Sequence, residues 1–188
     1  GANEDFSRYP RTFEADRARL AEVEADLVFA PPVAEMYPAG FVTTVSLAGP
    51  ATAGLEDRFR PTHFAGVATV VAKLLNQAQA DVAVFGEKDY QQLFLISRFV
   101  KENNLPIEII AGPLIRDHDG LALSSRNVRL STIGRQQALV IQRALHAAHH
   151  EKHLEHAGRI LHAVLMEEKG FTLEEAIEIA DDFEDLID

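Results

Sequence analysis

The chain contains no cysteine. That absence excludes disulfide bonds, thiolate metal sites and cysteine nucleophiles, so any chemistry must use oxygen and nitrogen groups. The chain also lacks an apolar run near the ~18 residues that a membrane span requires, and its first residues are polar rather than typical of a signal sequence. We therefore expect a soluble, cytoplasmic protein that does not bind a membrane.

Basic residues are few relative to acidic ones. The chain has 18 Lys and Arg against 29 Asp and Glu, which gives a formal net charge of -11 at pH 7. This balance argues against a nucleic-acid partner, which would require a broad basic surface. Ten Asp and Glu residues and a single lysine lie between residues 166 and 188, so the rest of the chain is close to neutral. Hydrophobic residues make up 47% of the sequence, which is enough to bury a core. Lysine and arginine side chains can still cluster inside a cleft.

Hydrophobic patterning alternates between strand and helix signals. Four apolar runs bounded by glycine, proline or charged residues predict strands, at residues 25–30, 41–49, 80–85 and 106–115. We expect the strands at residues 25–30 and 80–85 to be buried. Apolar residues at helical spacing predict helices over residues 61–79 and 89–104, with Thr62 and Asp89 as their N-caps.

The order of these segments, with short connections, predicts an α/β fold with a doubly wound parallel sheet. The character changes near residue 128, because residues 131–169 have an almost wholly helical pattern. One further strand is predicted around Ala176 to Ala180. We expect two domains, a partial sheet domain over residues 1–128 and a partial, helix-rich α+β domain over residues 129–188.

The stretch VFGEKDYQQL, residues 84–93, places charged and amide side chains directly after a predicted strand. In a parallel sheet, ligands bind beyond the carboxyl ends of the strands. Gly86 lets a ligand approach the backbone, and Lys88 supplies a cation suited to phosphate oxygens. Gln91 and Gln92 fall in the first helical turn, where amides can recognise hydroxyl and carboxylate groups. An isolated GEKD is explained more simply as an exposed charged turn.

A second polar loop follows the next predicted strand. The stretch IRDHDGLALSSRN supplies Arg116, Ser124, Ser125 and Arg126 at the expected neighbouring edge of the sheet. Hydroxyl and guanidinium groups suit a polyphosphate, because arginine can bind phosphate oxygens in a bidentate manner. Two such loops side by side predict a nucleotide-binding site.

The chain resembles the pantoate–β-alanine ligase family in four stretches: NEDFSRYPRT, RPTHFAGV, FGEKDYQQL and DGLALSSRN. They follow the family's order and spacing, and the resemblance runs from residue 1 to about residue 145 and more weakly to the end. It implies a Rossmann-like domain of the HIGH nucleotidyltransferase type, a small C-terminal domain that closes over the site, and a homodimer.

The resemblance also implies an activity. Members of the family activate pantoate with ATP and Mg²⁺ to pantoyl adenylate and release pyrophosphate. The amine of β-alanine then attacks the acyl adenylate and releases AMP, which yields pantothenate for coenzyme A biosynthesis. ATP, pantoate and β-alanine are therefore the expected substrates, and Mg²⁺ accompanies ATP.

Carried over by position, the resemblance implies an ATP site in two loops. The first loop comprises Gly86, Glu87, Lys88 and Asp89, with Lys88 on the phosphates. In the second loop, Ile115 matches a backbone contact to adenine, and the segment that closes on the triphosphate comprises Leu123, Ser124, Ser125 and Arg126. We expect the catalytic groups to be Lys88, Ser124, Ser125 and Arg126.

The pantoate pocket is implied by three other residues. Gln92 matches a glutamine that binds pantoate, and Arg60 and His63 in RPTHFAGV match residues near that pocket. From the residues alone, His63 is equally explained as part of a helix start.

Two motifs of the family, the HxGH segment that binds the ATP phosphates and a later NPxQF segment, are not found in this sequence. We therefore expect a fragment of the ligase that lacks the family's N-terminal segment and its C-terminal end. The alternative is a non-catalytic nucleotide-binding or partner subunit of the same fold, which takes its histidines from another chain or has none.

Six of the eight histidines lie between residues 146 and 162. His146 with His150, and His149 with His153, are i,i+4 pairs that could hold a transition metal. A solvated helix face explains them better, because no third ligand group stands out, and no protein metal site is predicted. His118, between two aspartates, is expected to face solvent rather than to act as a base.

Overall fold

A computed structural model of the chain describes Tyr9, residues 11–54 and residues 56–149. The helices are α1 (Phe13–Glu22), α2 (Val33–Met36), α3 (Glu56–Phe59), α4 (His63–Ala78), α5 (Tyr90–Glu102) and α6 (Thr132–His149). The strands are β1 (Val82–Gly86) and β2 (Glu108–Gly112), and short 3-10 helices cover Gly49–Thr52, Glu87–Asp89 and Ser125–Arg129.

The chain forms two compact units. The first unit comprises Gly1–Ala51, Arg60–Phe85 and Asp89–Ala111. The second unit comprises Thr52–Phe59, Gly86–Lys88 and Gly112–Asp188. The predicted domain boundary near residue 128 stays a prediction, and the predicted strand around residue 178 lies outside the described residues.

The core of the first unit lies between α4, α5 and one face of the sheet. Val71 and Leu75 of α4 pack with Ile96, Phe99 and Val100 of α5, and each of the five is at most 7% exposed. Ala83 and Phe85 of β1, Ile109 of β2 and Ile107, directly before β2, pack against this cluster. The amphipathic pattern that predicted both helices is therefore confirmed, since their apolar faces form this core.

The two strands pair in a parallel sheet and are connected through α5. A crossover helix is the usual connection between parallel strands, so the predicted α/β class is confirmed. The outward face carries apolar residues that stay exposed, with Val82 at 43%, Val84 at 65% and Ile110 at 42%. The strand predicted over residues 80–85 is present, but its predicted burial is wrong for this face.

The strands predicted at residues 25–30 and 41–49 are absent, and both segments are irregular apart from the 3-10 turn that begins at Gly49. A β-branched sequence forms a strand only where another strand can pair with it. Here the amide of Val45 donates to Thr69 Oγ1 of α4 at 2.9 Å, and Val45 and Leu47 pack on the core. The second segment therefore lies against α4 instead of extending the sheet.

Thr62 and Asp89 occupy the N-cap positions of α4 and α5, as predicted. Neither side chain makes a capping hydrogen bond. The backbone explains this, because φ and ψ are -104° and 2° at Thr62 and -101° and 68° at Asp89. A capping side chain reaches the first helical amides from an extended backbone, which neither residue has.

The second unit contains a short hairpin that runs from Ile115 to Leu123. Arg116 and Ala122 form an antiparallel bridge, and the Leu123 amide donates to the Ile115 carbonyl at 3.0 Å. The turn closes through the Gly120 amide, which donates to the Asp117 carbonyl at 2.9 Å. Helix α6 follows this hairpin and buries Val140 and Ala144. No helix of the described residues is both long enough and apolar enough to cross a membrane.

Candidate functional site

The loop between β1 and α5 has empty space beside its glycine, Gly86. Gly86 ends the strand with a backbone that does not lie in the left-handed region, and a Cβ atom built on it meets no other atom within 4 Å. Neither backbone conformation nor packing against the described residues therefore requires glycine here. Glu87, Lys88 and Asp89 follow with exposed side chains. The loop presents open backbone next to a cation.

Two consecutive glutamines at the start of α5 differ in their surroundings. Gln91 Nε2 donates to the carbonyl of Pro50 at 2.8 Å, which ties α5 to the 3-10 turn at Gly49–Thr52. The Gln92 side chain is half-buried and makes no hydrogen bond within the part of the chain that the structure describes. A half-buried amide that the protein leaves unbonded suits a ligand. Sequence reasoning had treated the two residues alike.

Arg60 and His63 lie together at the start of α4. The His63 amide donates to the Arg60 carbonyl at 2.9 Å, and Arg60 Nη1 lies 3.4 Å from His63 Nε2. A guanidinium can only donate, so this contact requires an unprotonated Nε2. The imidazole also rests 5.0 Å from the ring of the buried Phe64, measured between centroids. Both polar side chains are half-buried, which suits recognition of a small anionic or hydroxylated ligand.

The hairpin of the second unit exposes the two apolar residues at its ends. Ile115 is 58% exposed and Leu123 is 51% exposed. The Ile115 carbonyl accepts the Leu123 amide and keeps a second lone pair, and the Ile115 N–H has no partner among the described residues. An apolar surface beside free backbone groups is compatible with the adenine contact implied for Ile115.

Ser124 begins the segment that the resemblance places on the triphosphate. Its Oγ accepts the Arg126 amide at 3.2 Å and caps the 3-10 helix Ser125–Arg129. The hydroxyl proton of Ser124 can still donate to another group. Asn127 holds the segment to the hairpin, because its Nδ2 donates to the Ala122 carbonyl at 2.9 Å. The exposed side chains of Ser125 and Arg126 therefore extend from a fixed turn.

Arg135, in the first turns of α6, clamps the turn of the hairpin. Its Nε donates to Asp119 Oδ2 and its Nη2 to Asp117 Oδ2, both at 2.7 Å. Hydrogen bonds from the side chain and backbone of His118, followed by the bond from Arg135, lower the pKa of Asp117 to about 2. Arg135 likewise lowers the pKa of Asp119, and the two carboxylates raise the pKa of Arg135.

Sequence reasoning missed this clamp. The only signal was the pair of aspartates in RDHDG followed by an arginine in the next helix, and that pattern does not specify pairing. Arg116, predicted to face a polyphosphate, donates from Nη1 to the Gly120 carbonyl across the turn at 3.0 Å. His118 is solvent-facing as expected, since its side chain is 87% exposed.

Within the described residues, no group of three or more His, Cys, Asp or Glu side chains could hold a metal ion. His150 and His153, which the predicted histidine pairs need, lie outside those residues. An ion that arrives with its own oxygen ligands would need few protein ligands.

The implied site residues fall into two groups. The first unit holds Arg60, His63, Asp89 and Gln92. The second unit holds Gly86, Glu87, Lys88, Ile115, Leu123, Ser124, Ser125 and Arg126. The first group offers amide, imidazole and guanidinium contacts, and the second offers two cations, two hydroxyls and exposed backbone.

Comparison with known proteins identifies the family of the chain. A family-wide sequence model described as Pantoate-beta-alanine ligase matches residues 1–186. The pantothenate synthetase of Thermus thermophilus is 54% identical over 145 residues, which is 77% of this chain and 52% of that relative.

Solved structures agree. A crystal structure of pantothenate synthetase from Thermus thermophilus matches with a TM-score of 0.77 and 46% identity, over 100% of this chain and 62% of that one. A ligase from Francisella tularensis, complexed with beta-gamma ATP and beta-alanine, matches with a TM-score of 0.69 and 31% identity, over 85% of this chain and 61% of that one. The chain thus spans about half to two thirds of the length of these proteins. It belongs to the pantoate-beta-alanine ligase family.

Proposed function

We propose that this chain supplies part of the active site of an ATP-dependent ligase that condenses pantoate with β-alanine. The reaction passes through a pantoyl adenylate, releases pyrophosphate and AMP, and yields pantothenate. Family membership over residues 1–186 supports the reaction type, and the related Francisella structure contains an ATP-type ligand and β-alanine. The carrying observation is the open loop after β1, where Gly86 has no structural reason to be glycine and Lys88 follows.

The phosphates of ATP would lie against this loop. A glycine whose Cβ position is empty lets phosphate oxygens approach the backbone, and Lys88 adds a positive charge two residues later. Glu87 and Asp89 flank the lysine and would orient it or the ribose. Ser124 holds its turn through a cap, so that Ser125 and Arg126 can reach the phosphates from a fixed position.

Lys88 and Arg126 would stabilise the negative charge that develops on the phosphates during the reaction. When the pantoate carboxylate attacks the α-phosphorus, negative charge builds on the phosphate oxygens and on the departing pyrophosphate. Cations placed there beforehand stabilise that charge without reorganising during the reaction. The hydroxyl groups of Ser124 and Ser125 would donate hydrogen bonds to the same oxygens.

Pantoate would be held in the first unit. Gln92 offers a half-buried amide to its hydroxyl or carboxylate groups, while Gln91 is partly engaged by Pro50. Arg60 and His63 lie together at the start of α4, where a guanidinium beside an imidazole suits a carboxylate. Ile115 would offer backbone groups to the adenine ring.

The other parts of the proposal rest on the resemblance. Mg²⁺ would enter with ATP and be held mainly by phosphate oxygens and water, which suits a site with few protein carboxylates. The proposed protein is a cytoplasmic homodimer with a Rossmann-like, doubly wound sheet of the HIGH type. Its second, helix-rich domain begins near residue 129 and closes over the site.

The alternative is a nucleotide-binding subunit without catalysis of its own. It would use the same loops. Pantoate-dependent exchange of pyrophosphate into ATP separates the two proposals, because only a protein that forms the adenylate supports exchange. Nucleotide binding without exchange would favour the subunit.

Substitution of Lys88 tests the proposed nucleotide site directly. We expect Lys88→Ala to weaken ATP binding by about tenfold or more, since a charge-assisted contact is lost. Where exchange is present, its rate should fall by about 100-fold or more, the range for one preorganised transition-state contact. Calorimetry and radiolabelled exchange measure the two quantities.

Lys101→Ala is the matched control, because it removes the same charge from an exposed site in the last turn of α5. If both lysine variants bind ATP as the wild type does, the assignment of the phosphates to Lys88 is wrong.

A further inference from the structure

A pocket of about 310 Å³ lies in the second unit, where the hairpin meets α6. Its lining consists of Arg116, Gln142, Leu145, His146 and His149. The four helical residues fall at spacings of three and four, so they share one face of α6. The pocket therefore combines the hairpin's arginine with a polar stripe of the helix.

The polar groups of this pocket are mainly hydrogen-bond donors. Arg116 carries five N–H groups, one of which bonds to the Gly120 carbonyl at 3.0 Å, and it makes no ion pair with any described residue. Gln142 adds an amide, and each imidazole of His146 and His149 can donate at least one N–H. Among the described residues that line the pocket, none carries a carboxylate.

The clamp explains why the two neighbouring aspartates do not pair with Arg116. Asp117 and Asp119 are the acidic residues closest to Arg116 in sequence, and both are bonded to Arg135 at 2.7 Å. Arg135 therefore neutralises the two carboxylates that could otherwise pair with Arg116. Arg116 therefore keeps N–H donors that no described residue uses, in a chain whose overall charge of -11 would repel anions from most of its surface.

A cation is a poor occupant. Two imidazoles on one helix face suit a transition metal, but the guanidinium beside them opposes a positive ion. The volume is also large, since each water occupies ~30 Å³ of liquid and the pocket holds about ten such volumes. A tetrahedral oxyanion with several acceptors fits within this volume and matches the donors.

We propose that this pocket binds a phosphate group, with Arg116 donating to two oxygens and Gln142, His146 and His149 donating to the others. The site is additional to the proposed ATP phosphate contacts at Lys88 and Arg126. Its ligand is either free phosphate or the phosphate of a nucleotide, which share the same acceptor oxygens.

NMR titration of the whole chain tests the proposal. The ring signals of His146 and His149 are followed while inorganic phosphate is added at constant ionic strength, and the titration is repeated with AMP. We expect saturable shifts of both rings, and Arg116→Gln should weaken the fitted affinity by about tenfold or more. Arg143→Gln removes the same charge from a neighbouring α6 position outside the lining and should leave the affinity unchanged.

The outcomes separate clearly. Tighter binding of AMP than of phosphate, with the same loss in Arg116→Gln, supports the site and identifies a nucleotide as its ligand. Equal or tighter binding of phosphate, with that loss, supports it and identifies free phosphate. Shifts that do not saturate, or that weaken equally in Arg116→Gln and Arg143→Gln, overturn it.

Discussion

The two units of the molecule are stabilised by different forces. In the first unit, α4 and α5 bury Val71, Ile96 and Phe99 against the inner face of the sheet, each at most 7% exposed. In the second unit, the hairpin is held by backbone hydrogen bonds and by the ion pairs of Arg135 with Asp117 and Asp119. The first unit should respond to lost volume and the hairpin to lost charge.

The two units should therefore differ in how their stability depends on pH and salt. Apolar packing fixes a scaffold that is indifferent to pH and salt, because its stability comes from buried surface. Charged contacts fix an exposed hairpin that has no apolar core of its own, at a cost in sensitivity to protonation and salt. Four substitutions or titrations test this assignment, from the largest expected effect to the smallest.

Truncation of the core should have the largest effect. Ile96→Ala removes a side chain that is only 2% exposed, so the lost burial and the resulting cavity should lower the free energy of unfolding by about 2–5 kcal/mol. Urea denaturation followed by circular dichroism measures the loss. Val84→Ala, on the outward face at 65% exposure, is the control and should change the free energy by less than about 1 kcal/mol.

Equal losses at Ile96 and Val84 would contradict the assignment of the core to one face of the sheet. That result would mean that the outward face is also buried in solution.

Removal of the clamp should loosen the hairpin and leave the first unit unchanged. Arg135→Gln breaks both ion pairs, and we expect hydrogen exchange at the amides of Asp117 and Leu123 to accelerate by up to about fivefold. Arg135→Lys should restore only part of the protection, because an ammonium lacks the planar fork that reaches two carboxylates. Amide exchange followed by NMR gives both values.

Acceleration that spreads equally to the amides of α4 and α5 would show that the clamp stabilises both units. An unchanged hairpin would show that its backbone bonds suffice.

Acid should act on the hairpin through Asp117. Its pKa is lowered from 3.8 to about 2, first by His118 and then by Arg135, so its contribution to stability is fully present above pH 3.8 and is lost as the pH falls through about 2. A carboxyl ¹³C titration should show its midpoint near 2, and His118→Ala or Arg135→Gln should raise that midpoint toward 3.8. A midpoint near 3.8 in the wild type would mean that the contacts with His118 and Arg135 do not form in solution.

The features that sequence predicted are those encoded locally. Helices α4 and α5 follow from apolar residues at helical spacing, and β1 and β2 follow from short apolar runs between turn signals. The irregular segment 41–48 was not predictable, because a strand depends on a partner and Val45 bonds to Thr69 of α4 instead.

The same limit applies to the candidate site. The polar loops could be placed by reasoning from strand ends, but the different surroundings of Gln91 and Gln92 depend on Pro50, 41 residues earlier. The clamp by Arg135 likewise joins residues 16 and 18 positions apart. Contacts of this kind are set by how the chain folds back, which no local pattern records.

The smallest expected effect on stability is that of Gly86→Ala, and its comparison with Gly120→Ala separates the requirements of the fold from those of function. Gly120 has a φ of +94°, and a Cβ there would lie 3.3 Å from Gln142 Oε1, so Gly120→Ala should destabilise the second unit by about 1–2 kcal/mol. Gly86 has neither constraint. Gly86→Ala should therefore leave the free energy of unfolding unchanged or raise it by up to about 1 kcal/mol, because alanine restricts the unfolded chain.

For ATP binding we expect the reverse order, with the larger loss in Gly86→Ala and the smaller loss in Gly120→Ala. If phosphate oxygens approach the backbone at Gly86, the added methyl group occupies that space, and Gly86→Ala should weaken ATP binding by about tenfold or more, comparable to the loss of one hydrogen bond to a charged group. Urea denaturation and calorimetry on the same two proteins give both quantities. A Gly86→Ala protein that is stable and binds ATP normally would show that the empty space beside Gly86 is not the phosphate site. A protein that loses both stability and binding would show that Gly86, like Gly120, is a requirement of the fold.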